Sequence, residues 1–351
     1  MMKKKGKIIV GAVLSIIVVG ISYIGIENQF HSDYGQLDEA DQYILDEINK
    51  YVEDTEEKDI WEDFDLGDKT LLALEDSFGS AYLINPEKEV RSIFAKKITM
   101  PSDYKIEVYR IAAIESQLLQ FRWEGNFNTS GEKYILYGNE VFFTKYNETD
   151  AVMKQYSSSH YLTFLAHEAF HYYMQNDWME GSTYSTEGMS QEDKELLYQE
   201  YEILEKIQKA LISEEKDKKI YLEYAKEYVD IVKERMKKNP EYVKKEIERE
   251  TIEGTATYVG IEASEIVGYD YGVMYFDNIK NVPFSDLKNT VEAGAYDISN
   301  LADRIPYETG AMLCQFIDKL EIPDWQKKMN GQTRENPVTL YSIIEQFVEN
   351  K

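Results

Sequence analysis

Two of the four histidines of the chain, His167 and His171, lie four residues apart with Glu168 between them, in the sequence His-Glu-Ala-Phe-His. The spacing of apolar residues around this motif predicts a helix over residues 161–175. On a helix, residues four apart share one face, so both imidazoles can bind one ion, while Glu168 projects about 100° around the helix toward a bound water. The alternative is a pair of partly buried histidines on an amphipathic helix.

A third ligand has to come from a carboxylate. The single cysteine, Cys314, excludes an intramolecular disulfide framework, a cysteine-based zinc ribbon and an iron–sulfur centre. A catalytic zinc ion takes three protein ligands and keeps one position for water. A second predicted helix, residues 242–266, offers Glu250 and Glu253, which are three residues apart and share a face. Glu253 is the preferred ligand because Gly254 beside it lets this helix approach the histidine helix, and Glu250 is the alternative ligand or a hydrogen-bond partner of a histidine.

The histidine motif and the later segment Glu-Gly-Thr-Ala-Thr-Tyr, residues 253–258, resemble the gluzincin branch of the zincin metallopeptidases. The resemblance covers the C-terminal half of the chain. Better-known members carry Asn and Asp where this chain has Ile252 and Thr257, which indicates a divergent member. The resemblance implies one zinc ion and a general base, with the ligands at His167, His171 and Glu253 and the base at Glu168.

Hydrolysis by such a site also needs a hydrogen-bond donor for the oxyanion that develops on the scissile carbonyl. No spare histidine is well placed, and Tyr307, in the segment Arg-Ile-Pro-Tyr-Glu-Thr-Gly at a predicted helix start, is the preferred donor. Similar Tyr-x-x-Gly segments follow the third ligand in related peptidases. Tyr258 is the reserve candidate. The chain has 28 tyrosines, so an ordinary packing role for Tyr307 stays open.

The first residues of the chain differ from the rest. Four lysines, at positions 3, 4, 5 and 7, precede an uncharged run from Ile8 to Ile26. As a helix this run would extend over about 28 Å, close to the thickness of the bilayer core, and no small-x-small tripeptide ends it. The sequence therefore predicts an uncleaved single-pass membrane anchor, with residues from about 28 onward outside the membrane. A cleaved signal, and hence a secreted form, is the alternative. The near absence of cysteine in an exported chain is typical of bacteria.

The predicted fold class is α+β: an N-terminal membrane helix, a small mixed or antiparallel sheet region, and a mainly helical, zincin-like catalytic domain. The predicted boundaries are a cytoplasmic start at 1–7, the anchor at 8–26, a stalk or first helix at 27–69, an α/β subdomain at 70–156 and the catalytic domain at 157–351. Within the last, residues 191–239 form a charged helical insertion with solvated outer faces.

The net charge of the chain restricts the kinds of partner that it can bind. The chain has 39 Lys and Arg against 65 Asp and Glu, a net charge of −26, which argues against a nucleic-acid partner. The predicted partners are a peptide or protein substrate and, through the N-terminal helix, a membrane. The predicted function is a zinc-dependent peptidase that hydrolyses peptide bonds outside the membrane with a metal-activated water. The alternative is a non-catalytic extracellular binding or sensor module with a structural or vestigial zinc site.

Overall fold

The computed structural model describes residues 31–56, 60–76, 79–129, 131–147, 157–186, 189–276 and 279–351, together with positions 19, 20 and 22. Two compact units divide the chain. The first comprises Met1–Lys58 and Asp65–Lys154, and the second comprises Asp59–Phe64 and Gln155–Lys351.

The first unit is built on a six-stranded sheet. Its strands are β1 (Leu71–Glu75), β2 (Ala81–Ile84), β3 (Ala95–Lys97), β4 (Val108–Ile111), β5 (Tyr134–Leu136) and β6 (Asn139–Tyr146), in the spatial order β3-β4-β2-β1-β6-β5. Strand β1 runs parallel to β6, with Leu71 opposite Phe142, and the other pairs are antiparallel. Strand β2 is buried at every position and β1 at all but its last, so their side chains form continuous apolar runs rather than an alternating pattern.

Two helices accompany this sheet, α1 (Glu39–Thr55) and the short α2 (Leu119–Trp123). Phe121 of α2 joins the core cluster formed by the strands. On α1 the buried Asp41 accepts hydrogen bonds from the hydroxyl groups of Tyr82 and Tyr146. Burial, only partly offset by those two hydrogen bonds, raises the pKa of Asp41 above its usual value.

The second unit is helical. Its helices are α3 (Tyr161–Met174), α4 (Gln191–Ile212), α5 (Lys218–Lys238), α6 (Pro240–Val267), α7 (Asp286–Glu292), α8 (Ser299–Lys319), α9 (Trp325–Asn330) and α10 (Leu340–Glu349). Helix α6 packs against both α3 and α8 and is buried over most of its surface. Pro240 occupies the first turn of α6, where its missing N–H costs nothing, and Gly268, with a φ of 80°, ends the helix.

The predicted charged insertion forms the helices α4 and α5, which pack on each other. Their contact contains a buried ion cluster in which Arg235 lies 2.5 Å from Glu200 and 2.6 Å from Glu246 of α6. The side chains of Arg235 and Glu200 are only 3% and 6% exposed. Some charges of this segment are therefore interior, although the sequence pattern predicted a solvated surface.

The predicted membrane anchor is not supported. Among the residues that the structure describes, no helix combines the length and the apolar character needed to cross a bilayer. Most of the predicted span, residues 8–26, lies outside the described residues. An apolar run of suitable length is necessary for a membrane helix but does not establish one. The predictions of a single-pass membrane protein and of an extracytoplasmic catalytic domain are corrected accordingly.

The predicted fold class is also wrong as stated. Helices make up 52% and strands 11% of the structure, and the sheet is a curled six-stranded half-barrel rather than a small region following a membrane helix. The physical reason lies in strands such as β1, whose sequence Leu-Leu-Ala-Leu-Glu has no alternation of apolar and polar residues. A strand that is buried on both faces cannot be distinguished from a helical segment by its periodicity.

Candidate metal centre

Helix α3 carries the histidine pair. His167 and His171 are one turn apart, and their Nε2 atoms lie 3.0 Å from each other. The two rings meet edge to face, with centroids 4.7 Å apart. The helix predicted from the motif is confirmed, because α3 spans Tyr161–Met174. Its geometry directs both imidazoles to one point.

Helix α6 brings a carboxylate to the same point. Oε2 of Glu253 lies 3.3 Å from Nε2 of His171 and 3.9 Å from Nε2 of His167. With zinc–ligand bonds of about 2.0–2.1 Å, two ligands of a tetrahedral zinc ion are about 3.3 Å apart. The three atoms therefore form a triangle of the size that a zinc ion requires, and their donor set of two imidazoles and one carboxylate suits zinc. In the described part of the chain, the cluster able to hold a metal consists of these three residues.

Gln175 fixes the orientation of His171. Its amide nitrogen donates to the carbonyl of Ile252, at 2.9 Å, and to the hydroxyl of Thr255, also at 2.9 Å. Because a carbonyl can only accept, this assigns the other amide atom as oxygen, and it lies 2.6 Å from Nδ1 of His171. Nδ1 of His171 must then donate, so Nε2 carries a lone pair whenever this imidazole is neutral.

His167 is held from the other side by a hydrogen bond to the backbone of Ala256, on α6. Burial, followed by the charge of His171, lowers the pKa of His167 to about 3, so this imidazole stays neutral. Nε2 of His167 therefore presents a lone pair to Nε2 of His171, 3.0 Å away, and a proton on His171 or a metal ion between the two rings would satisfy it.

The carboxylate is in the state that a metal requires. Burial raises the pKa of Glu253, but the hydrogen bond and the charge of His171 outweigh it and bring the pKa below its usual value. For His171 burial lowers the pKa, and Glu253 more than compensates, so the pKa of this histidine is raised. A proton on His171 and a metal ion therefore compete for the same place beside Glu253.

Glu168 lines a cavity of about 150 Å³ that adjoins His167. Burial, opposed by His171 and reinforced by Glu253, raises the pKa of Glu168 to about 7. The cavity is lined by Ser158, Thr163, Phe164, His167, Glu168, Thr257, Gly260, Tyr271, Arg304, Tyr307 and Glu308. A carboxyl group with a pKa near neutrality can take up and release a proton at physiological pH.

Tyr307 also lies in this cavity. Its ring is nearly parallel to that of His167, with centroids 6.0 Å apart, and its hydroxyl hydrogen-bonds Glu253. The guanidinium of Arg249 lies over the same ring, 5.8 Å from its centroid. Burial and the charge of Glu253 raise the pKa of Tyr307 well above its usual value, so the phenol keeps its proton.

The sequence predicted that Tyr307 lies at the start of a helix, and this prediction is wrong. Helix α8 begins at Ser299 and continues through Pro306. A proline inside a helix removes one backbone hydrogen bond, and sequence rules for that reason place a boundary beside it. Here the packing of α8 against α6 overrides the local signal.

Glycines set the spacing of the three helices. A Cβ atom on Gly254 would lie 2.3 Å from Cα of Gly310, so α6 and α8 touch through their backbones where Glu253 and Tyr307 meet. Gly254 thus allows close approach to α8, not to the histidine helix. The glycine that faces α3 is Gly260, where a Cβ atom would lie 3.0 Å from the carbonyl oxygen of Thr163.

Two other candidate residues are engaged elsewhere. The hydroxyl of Tyr258 donates to Asp318 at 2.8 Å, and its ring packs against Trp61 and Trp325. Glu250 is 4% exposed, and burial, reinforced by the charge of Glu200, raises its pKa well above the usual value. The hydrogen-bond partner of His171 is Gln175 rather than Glu250. Gln175 is four residues after His171, and this helical spacing could have indicated the hydrogen bond from the sequence.

These positions are the basis for any assignment of function. Comparisons with models of protein families, with curated proteins and with solved structures find no match for this chain. The residues of the candidate metal centre and their geometry therefore carry the functional argument.

Proposed function

We propose that the protein is a zinc-dependent peptidase, in which one zinc ion is held by His167, His171 and Glu253. The observation that carries this proposal is the triangle of ligand atoms, with sides of 3.0, 3.3 and 3.9 Å, beside a cavity lined by Glu168. The relation to the gluzincin peptidases, based on the histidine motif and the later glutamate, is part of the same proposal.

The site favours catalysis over a structural role. A structural zinc ion usually has four protein ligands, whereas three ligands leave one position for water or substrate. Within the described residues the metal-capable cluster has three members, and the adjoining cavity is lined by both the ligand His167 and Glu168.

When bound, zinc would polarise a scissile carbonyl and acidify a water molecule to a pKa near 7. Glu168 accepts the proton of that water and then transfers it to the amine that leaves. The pKa of Glu168, about 7 in the metal-free site, would be lowered by a bound cation, so that this carboxylate would be ionised when the reaction begins. Tyr307 keeps its proton, and its hydroxyl would exchange the hydrogen bond to Glu253 for one to the carbonyl oxygen as negative charge develops there.

The test is cleavage of a mixed peptide library by the zinc-loaded protein, with products identified by mass spectrometry. We expect Glu168→Gln to keep its zinc and to lose cleavage, and Tyr307→Phe to lower kcat by about 10²–10³-fold. Glu180→Gln, which changes an exposed glutamate, is the matched control and should cleave as the wild type does. Cleavage at the wild-type rate by a Glu168→Gln protein free of contaminating peptidase would refute the role of Glu168.

A further inference from the structure

Arg304 is a cationic group in the cavity that the proposed reaction does not use. It lines the cavity with His167 and Glu168, and its side chain is 38% exposed. Arg304 and Tyr307 are three residues apart on α8, so they share a face of the helix about one turn apart. Arg304 and Tyr307 therefore both border the cavity beside the candidate metal centre.

The surroundings of Arg304 hold it in place without using all of its donors. One Nη atom lies 3.1 Å from Oε1 of Glu308. The other carboxylate oxygen of Glu308 accepts the backbone N–H of Met274 at 2.6 Å, so both oxygens of Glu308 are engaged. Tyr271 also forms a hydrogen bond with the guanidinium of Arg304. The Nε atom of Arg304 is buried and has no hydrogen-bond partner. A guanidinium has five N–H donors, and donors remain here for an incoming acceptor.

The size and chemistry of the cavity indicate which group could accept hydrogen bonds from Arg304. A volume of about 150 Å³ holds one amino-acid residue rather than a larger ligand. The planar fork of a guanidinium matches the two oxygens of a carboxylate. The net charge of −26 repels an acidic ligand at long range, but salt screens that repulsion beyond about 8–10 Å, so a local cation decides the binding.

We infer that the cavity is a subsite for one substrate residue that carries a carboxylate, bound by Arg304. This inference rests on the proposed peptidase function and deepens it: the preferred substrates are peptides with either an acidic side chain or a free C-terminal carboxylate next to the scissile bond. Glu308 is a positioning residue, which holds the guanidinium toward the cavity.

Equilibrium binding tests the subsite independently of cleavage. The protein is zinc-loaded Glu168→Gln, titrated by calorimetry with two pairs of probes. N-acetyl-Ala-Glu-amide against N-acetyl-Ala-Gln-amide tests the side-chain carboxylate, and N-acetyl-Ala-Ala against its amide tests the C-terminal one. We expect one acid to bind at least about tenfold more tightly than its neutral partner. The pair that shows the preference identifies the source of the carboxylate.

Substitutions then assign the preference to Arg304. Arg304→Gln should abolish it, Arg304→Lys should retain part of it, and Arg334→Gln, which changes an exposed arginine, should leave it unchanged. Because Arg304→Gln leaves the buried Glu308 without its cation, the double variant Arg304→Gln/Glu308→Gln removes both charges, and thermal melting verifies that it is folded.

Equal binding of acidic and neutral probes by the wild-type cavity, or a preference that persists in the folded double variant, would overturn the inference. Failure of the two proposals can be told apart. Cleavage of peptides without any preference for acids leaves the peptidase function intact and removes the subsite. An acid preference that depends on Arg304, in a protein that cleaves nothing, supports the subsite and removes the peptidase.

Discussion

Gln175 supports the candidate metal centre, and its replacement has a calculable effect. Its amide makes three hydrogen bonds of 2.6, 2.9 and 2.9 Å, to His171, Ile252 and Thr255. Gln175→Met keeps the length of the side chain and removes all three. We expect the Kd for zinc to rise 10- to 100-fold, about 1.4–2.8 kcal/mol, because His171 loses the acceptor that fixes its tautomer and α3 loses a link to α6 beside Glu253.

The assay is competition for zinc with a fluorescent chelator of known affinity, together with thermal melting of the metal-free proteins. Gln208→Met is the matched control, because Gln208 is also buried and donates to the carbonyl of Val282 at 3.1 Å, away from the ligands. This variant should bind zinc with the wild-type Kd. An unchanged Kd in Gln175→Met would show that this glutamine does not orient a zinc ligand.

Three further predictions concern stability. Gly254→Ala should lower the free energy of unfolding, measured by urea denaturation, by at least about 1–3 kcal/mol, because the new Cβ would lie 2.3 Å from the backbone of Gly310. Gly272→Ala is the control and should not lower it, because apart from its chain neighbours no atom would lie within 4 Å of the new Cβ. Arg235→Met should lower the free energy of unfolding by about 3–5 kcal/mol by leaving Glu200 and Glu246 without their cation, and the triple variant that adds Glu200→Leu and Glu246→Leu should recover much of this in the same assay. Because the pKa of Asp41 is raised in the folded state, its contribution to stability is present below the unfolded value of about 3.9 and is lost as the pH rises through the folded pKa. The free energy of unfolding of Asp41→Asn, minus that of the wild type, should therefore be larger at pH 7 than at pH 4. A smaller difference at pH 7 would contradict this prediction.

The parts of the candidate site that lie on one helix could be predicted from the sequence. The spacing of His167 and His171 requires a helix if both are to face one ion, and α3 has that form. The choice between Glu250 and Glu253 depended on which side of α6 meets α3. The structure brings Glu253 to the histidines and buries Glu250 elsewhere.

Contacts between elements could not be predicted in the same way. Gly254 was predicted to bring α6 close to the histidine helix, but a glycine does not specify which helix approaches it, and here it is α8. Pro306 gave a false boundary because local rules take no account of the packing that holds α8 together. Within the predicted α/β subdomain, 70–156, the apolar run of β1 does not alternate, so its periodicity does not distinguish a strand from a helical segment.

The most direct test of the central claim is the metal content of the purified protein by elemental analysis, for the wild type beside His167→Ala and the control His31→Ala. Three ligand atoms 3.0–3.9 Å apart predict one zinc ion per chain in the wild type and in the control. They predict loss of that zinc in His167→Ala. A wild-type protein that binds no zinc even after reconstitution, or a His167→Ala protein that keeps it with unchanged affinity, would show that His167, His171 and Glu253 do not form a zinc site.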